Sequence, residues 1–248
     1  VDEPFHNLFS QGMINFGGSK MSKSKGNVVD PEAYFTSHGA DALRLYILFM
    51  APPSDGVEWN DGGIEGTKRF LNKFWVNMTK FSNLENNKTN DEDSLVRSMN
   101  QTIFSVTRHL EKFEFNTGVS DLMKANNEIS SYLNKNTTVS EETKELVFSS
   151  MCNLLYPFSP HISSEIYDLY MNKDISTLDW PTYEESNLNN PTYELVVQIN
   201  GKKKFTKVIN TGTSQENTEE ICKAEFNLDV SDFKKVIFVE DKIINFIG

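Results

Sequence analysis

The chain has 248 residues, enough for one large domain or two to three small ones with a real core, which excludes a disulfide-stapled miniprotein. Hydrophobic residues make up 38% and aromatics 12%, which excludes wholesale disorder, and no run reaches the roughly 18 apolar residues of a membrane span. The net charge of −11 excludes a uniformly basic nucleic-acid binder, but it is unevenly spread: 4 basic against 5 acidic residues in 1–50, 12 against 21 in 51–190, and 8 against 9 in 191–248.

The first thirty residues mix short apolar pieces with turns, and Gly17-Gly18 leads into a lysine-rich loop. Asp30-Pro31-Glu32 predicts a helix start, because Asp30 can cap orphan amides, Pro31 suits the first helical position and Glu32 complements the dipole. A second helix is expected over about residues 40–50, stopped by Ala51-Pro52-Pro53. From residue 66 to about 170 the period is helical, with stripes through Phe70, Phe74, Met78 and Phe81, through Leu95, Met99, Ile103 and Val106, through Val119, Leu122 and Ile129, and through Val147, Met151 and Leu154. Thr138 with Glu141 reads as a capping box opening the fourth of these helices, and a short fifth begins after Pro160. Residues 181–191, with two prolines and three asparagines, read as a linker.

Beyond it the period becomes two. Leu195, Val197 and Ile199 alternate up to an Asn200-Gly201 turn, which predicts a β-hairpin. Thr213 with Glu216 predicts the cap of a short helix, and residues 236–239 and 243–247 read as closing strands. Cys152 and Cys222 are far apart and lack metal-ligand spacing, so both are expected to be packing thiols, with no disulfide and no zinc. The N-terminus lacks the features of a signal peptide, so a cytoplasmic protein is expected, and a start at Val1 rather than Met reads as a fragment of a longer chain.

The string Lys20-Met21-Ser22-Lys23-Ser24-Lys25-Gly26-Asn27 carries the most chemistry. Three lysines alternating with Met and hydroxyls between glycines suit a mobile loop that closes ammonium groups onto a polyphosphate. The spacing is not that of a P-loop, and the residues alone also fit a solvated basic loop.

The full string resembles the Lys-Met-Ser-Lys-Ser signature of class I aminoacyl-tRNA synthetases, including the following Gly26-Asn27 and the downstream Asp30-Pro31. Almost the whole chain is similar to the C-terminal part of bacterial-type leucyl-tRNA synthetases. The similarity runs through Glu3-Pro4-Phe5, Gln11-Gly12-Met13, residues 39–45, Glu58-Trp59, residues 70–75, Phe115-Asn116-Thr117, residues 157–161, residues 197–202, and residues 236–239 with Ile247-Gly248. The resemblance implies a multidomain fold. Residues 1–30 would end a Rossmann-type α/β catalytic domain and carry its mobile loop, 31–65 would be a connecting stem-contact-like segment, and 66–180 an all-α anticodon-binding-type bundle. Residues 181–191 would be a linker and 192–248 a small α+β tRNA-binding domain.

It also implies a function: ATP-dependent activation of leucine and its transfer to tRNA(Leu), with ATP as substrate, Mg2+ expected from the family, no metal ligated by this chain and no membrane partner. Lys23 matches the family's ATP-contacting lysine and Lys20 is the second catalytic candidate. Ser22 and Ser24 would orient the loop or contact phosphate, Met21 would anchor it, and Gly17, Gly18 and Gly26 would let it move. Lys25 is expected to be solvated. The resemblance further implies that Lys202, Lys203, Lys204 and Lys207 contact the tRNA backbone, although a solvated turn that blunts a strand edge fits the same residues.

The sequence departs from the family in holding no His-Ile-Gly-His signature, leucine pocket or editing domain. Half a site is therefore expected, inactive by itself and dependent on the N-terminal half of the synthetase as partner. The passage from Gly12-Met13 to Lys20 also leaves no room for an inserted leucine-specific domain. His161 is expected to cap or pack, His6, His38 and His109 have no catalytic partner nearby in sequence, and Trp59, Trp75 and Trp180 are expected in packing roles. Two other readings remain: a non-catalytic tRNA-binding module or subunit, and a related class I synthetase for isoleucine, valine or methionine, which the residue 197–202 hairpin and the final strand pair disfavour.

Overall fold

The computed structural model describes residues 4–5, 7–189 and 192–248. Glu3, His6, Asn190 and Pro191 lie outside the described residues, and with them part of one family-like segment and the end of the expected linker. The chain divides into two units at residues 188/189.

In the first unit, strand β1 (Ile14–Phe16) pairs antiparallel with β2 (Ser19–Lys20) and parallel with β3 (Val57–Glu58), so three short strands lie in the order β2-β1-β3. Helix α1 (Pro31–His38) starts as its sequence predicts, the Asp30 carboxylate accepting the Glu32 N–H at 3.0 Å. Helix α2 (Ala40–Phe49) follows and ends ahead of Pro52-Pro53. Its Ala42, Leu45 and Tyr46 are buried in the same core as the longer helices.

Those are α3 (Ile64–Ser82), α4 (Glu92–Glu111), α5 (Phe115–Leu133), α6 (Glu141–Leu155) and α7 (Pro160–Met171). The stripes read from the sequence face one another: Phe74, Met78, Ile103, Val106, Leu122, Ile129, Met151 and Leu154 are fully buried. Each such side chain contributes about 1.5–3 kcal/mol on burial, so truncating Leu122 to Ala would cost about 2–5 kcal/mol.

Three local features differ from expectation. Helix α6 is capped by Ser140, which accepts the Thr143 N–H, and not by Thr138. Thr138 is held extended in a two-residue parallel ladder between β4 (Glu85–Asn86) and β5 (Thr138–Val139), and its carbonyl accepts the Tyr132 hydroxyl at 2.9 Å. The boundary between the units falls within the expected linker, but the stretch before it, residues 180–188, is strapped onto α4. Trp180 Nε1 donates to Thr107 Oγ1 at 2.8 Å, the Glu184 amide donates to Asn100 Oδ1 at 2.7 Å, Gln101 donates to the Leu188 carbonyl at 2.9 Å, and Tyr183 meets Phe104 edge-on. In the second unit the helix cap is Ser214, one residue after Thr213.

The second unit comprises β6 (Thr192–Ile199), β7 (Lys202–Asn210), α8 (Gln215–Phe226), β8 (Lys235–Val239) and β9 (Ile243–Ile247). Its sheet has the order β7-β6-β9-β8, with β6 and β9 parallel. Asn200 and Gly201 have φ of 50° and 75°, the two left-handed residues a type I′ hairpin turn demands. The core of this unit is Leu195, Val197, Ile209, Cys222, Ile244 and Phe246. Burial raises the thiol pKa of both free cysteines, and that of Cys222 reaches about 11, which suits inert packing groups.

Candidate functional site

Gly17 and Gly18, with φ of 65° and 73°, conformations that glycine adopts without cost, make the turn between β1 and β2, and the lysine loop leaves the small sheet at the end of β2. Lys20 ends β2, and Met21 is partly buried against the core of the first unit. Ser22 is extended, Lys23–Lys25 form one 3-10 turn, and Gly26 at φ 68° reverses the chain. The Ser22 and Ser24 hydroxyls lie 2.8 Å apart. On the far side of the turn the Asn27 carboxamide reaches back under the loop, accepting the Ser22 N–H at 2.9 Å and donating to the Phe16 carbonyl at 3.0 Å. Glu58 on β3 accepts the Gly18 N–H at 2.9 Å, so both ends of the loop are tied.

Lys20, Lys23 and Lys25 are exposed, and among the described residues none of the three forms an ion pair. The loop thus offers three uncompensated positive charges on a short segment with glycine at each end, an arrangement suited to a polyanion such as a polyphosphate. Among the described residues no group of three or more His, Cys, Asp or Glu could hold a metal ion. Ammonium groups have no lone pair to offer Mg2+, so the loop's lysines do not fit as its ligands.

The loop stands on a rigid base. Asp61 accepts from the Trp59 indole at 2.7 Å and from the Tyr34 hydroxyl, and these bonds, that of Tyr34 first, hold its carboxyl below the ordinary range. Tyr34 and Tyr46 pack edge-on against the Trp59 ring, which fixes β3 and with it Glu58. Asp41 on α2 caps α7: its carboxylate accepts the Ile162 amide at 2.7 Å and lies 2.9 Å from His161 Nδ1. Arg44, one turn on, donates to the Pro157 carbonyl at 3.1 Å. The cap expected of His161 is thus supplied by Asp41, from 120 residues away, and His161 is held by that carboxylate in the first turn of α7; sequence reading missed Asp41. Asn27 and Glu58 were noted only as part of family-like segments, and their roles were missed, because a single polar residue gives no periodic signal.

The lysines of the second unit are not brought together as one patch. Lys207 lies across the strand pair from the buried Leu195, on the face covered by α8, and bonds Glu225 at 2.8 Å. Lys203 sits opposite Gln198 on the other face, 4.0 Å from Glu194. Gln198 pairs with Lys203 and Val197 with Phe205, so Lys204 is the extra residue of a β-bulge. Lys202 and Lys204 are exposed and, among the described residues, form no ion pair.

Comparison with known proteins gives the context of this geometry. The family model "Anticodon-binding domain of tRNA ligase" matches residues 92–221, and "tRNA synthetases class I (I, L, M and V)" matches residues 1–60. The first match covers 130 of 248 residues, and the chain belongs to the family of tRNA ligase anticodon-binding domains. The chain is 42% identical to the leucine--tRNA ligase of Petrotoga mobilis, over 99% of this chain and 32% of that protein. It is similar to LeuRS of Agrobacterium radiobacter K84, solved as a ternary complex with tRNA and LeuAMS, with a TM-score of 0.78 and 32% identity over 100% of this chain and 34% of that one. Methionyl-tRNA synthetase of Mycobacterium tuberculosis, at TM-score 0.52 and 19% identity over 65% of this chain and 37% of that one, shares the fold. The chain spans about a third of the length of the curated relatives it matches, 32% in each of the first five.

Proposed function

We propose that the complete protein is a cytoplasmic, ATP-dependent leucine–tRNA ligase and that this chain supplies its mobile cationic loop and its tRNA-binding parts. The observation that carries the reading is the loop of residues 17–27, which holds three exposed lysines, without ion pairs among the described residues, in the order of the class I signature. The similarity of nearly the whole chain to leucine--tRNA ligases supports it. Residues 1–30 then end the Rossmann-type domain, 31–65 connect it to the bundle of 66–180, and 192–248 form the tRNA-binding end piece.

In the first step a leucine carboxylate oxygen forms a bond to the α-phosphorus of ATP, and the bond from that phosphorus to the bridging oxygen breaks to release pyrophosphate. Negative charge grows on the α-phosphoryl oxygens and on the leaving group. Lys23, with Lys20 second, places ammonium groups against those oxygens as the loop closes, and contacts stronger in the transition state than in the ground state raise the rate. Lys202 and Lys204, the two lysines of the hairpin that form no ion pair among the described residues, meet phosphates of tRNA(Leu), and Lys203 and Lys207, which face Glu194 and Glu225, contribute less.

Two measurements test this. Lys23→Ala in the complete ligase lowers leucine-dependent pyrophosphate exchange by roughly two to three decades, the loss expected for one transition-state contact of about 2.7–4 kcal/mol, with tRNA affinity unchanged. This chain alone gives no such exchange and gains it when the preceding part is supplied. Normal activation with weak tRNA binding in Lys23→Ala would mean that the loop serves a different polyanion.

A further inference from the structure

The carboxamide of Asn27 makes more connections than any other side chain of the loop. Its oxygen accepts the Ser22 N–H at 2.9 Å, and its nitrogen lies 3.0 Å from the Phe16 carbonyl, 3.0 Å from Ser19 Oγ and 3.2 Å from the Lys20 carbonyl. One planar group therefore ties the last residue of β1, both residues of β2 and the residue that precedes Lys23. Gly26 makes this possible, since its left-handed φ of 68° turns the chain back beneath the loop. Only a carboxamide fits: a carboxylate would face the Phe16 and Lys20 carbonyl oxygens without a donor, and an aliphatic side chain would leave a part-buried N–H and several carbonyls unpaired.

The consequence reaches the reactive group through the backbone. An ammonium on a four-carbon stem searches a volume set by its Cα, and a drifting Cα dilutes the charge at the place where it is needed. We propose that Asn27 is a positioning residue for Lys23, a lock that fixes the backbone at Ser22 so that the lysine meets its anion at a set place. The inference rests on the ligase reading for the identity of that anion, whereas the lock itself rests on the hydrogen bonds alone.

The test is a double-mutant cycle in the complete ligase, read by leucine-dependent pyrophosphate exchange and by hydrogen exchange of the loop peptide. Asn27→Ala should lower kcat about ten-fold, the worth of one to two net hydrogen bonds, with the KM for leucine and the Kd for tRNA unchanged. In the Lys23→Ala background the same substitution should cost less than about two-fold, because a residue acting through Lys23 has nothing left to position. Amides of residues 17–27 should exchange faster and the rest of the protein should not. Asn27→Asp, which keeps the acceptor and loses the donors, should show the same loss and serves if the Ala variant folds poorly. Losses that multiply, or a normal kcat in Asn27→Ala beside a slow Lys23→Ala, would overturn the inference while sparing the ligase reading. If Lys23→Ala activates leucine normally, the ligase reading of the loop falls, and the lock then stands or falls on whether Asn27→Ala accelerates exchange across residues 17–27.

Discussion

Glu92 is the residue on which the bundle's stability depends most visibly. It is buried, and its carboxylate accepts the Thr89 amide at 2.8 Å, the Ser140 amide at 2.9 Å, the Ser140 hydroxyl and the Thr143 hydroxyl. Burial pushes its pKa up, but these donors outweigh burial and hold it below the ordinary value of 4.5. The sign of the pH effect follows. The unfolded chain binds this proton more readily than the folded one, so the stabilisation is complete above the ordinary value and is lost as pH falls through the folded value. Glu92→Gln should destabilise the chain by about 2–3 kcal/mol near neutral pH, and the gap from the parent in urea denaturation should narrow as the solution is acidified below the ordinary carboxyl range. A gap that stays constant down to strongly acid solution would mean that the carboxylate is not the stabilising form.

At the scale of elements the capping of α6 gives a direct comparison. Ser140 meets the Thr143 N–H, whereas Thr138 sits in the β4–β5 ladder. Ser140→Ala should therefore cost about 0.5–2 kcal/mol, and Thr138→Ala less, in thermal unfolding of the same chain. Equal costs would restore Thr138 as the cap. The two positions show what the sequence could tell and what it could not. The stripes through α3 to α7 were legible because an apolar residue every third or fourth position leaves one way to bury them. The Asn200-Gly201 turn was legible because few residues tolerate its backbone. The cap was misplaced because Thr138 and Ser140 both carry a hydroxyl and only Thr138 has a glutamate three residues on, whereas in the fold Thr138 pairs with β4, some fifty residues upstream. The strap over α4 was hidden because Pro and Asn suggest a linker, while its partners Asn100, Gln101 and Thr107 lie on another helix. For the loop, the lysines and glycines were legible and the roles of Asn27 and Glu58 were not, since their worth lies in backbone groups that no residue pattern displays.

Across the whole molecule, the division at residues 188/189 suggests where binding and chemistry can be separated. On the proposed reading, removal of residues 189–248 from the complete protein should spare leucine activation and weaken tRNA charging. Replacing both Lys202 and Lys204 by Ala should flatten the slope of log affinity against log salt by about 1.4–1.8, from roughly 0.7–0.9 per phosphate. Replacing Lys203 and Lys207, which face Glu194 and Glu225, should flatten it less. A slope that does not respond to Lys202 and Lys204 would leave the hairpin as a solvated turn. The cap that Asp41 gives to α7 has a consequence for synthesis. Asp41 leaves the ribosome 120 residues before His161, an interval of about 6–24 s at ordinary elongation rates of roughly 5–20 residues per second. Through that interval Ala42, Leu45 and Tyr46 have no finished core to enter. Nascent chains arrested short of residue 160 should accordingly be cleaved by protease within residues 40–49, and chains carried past α7 should resist it.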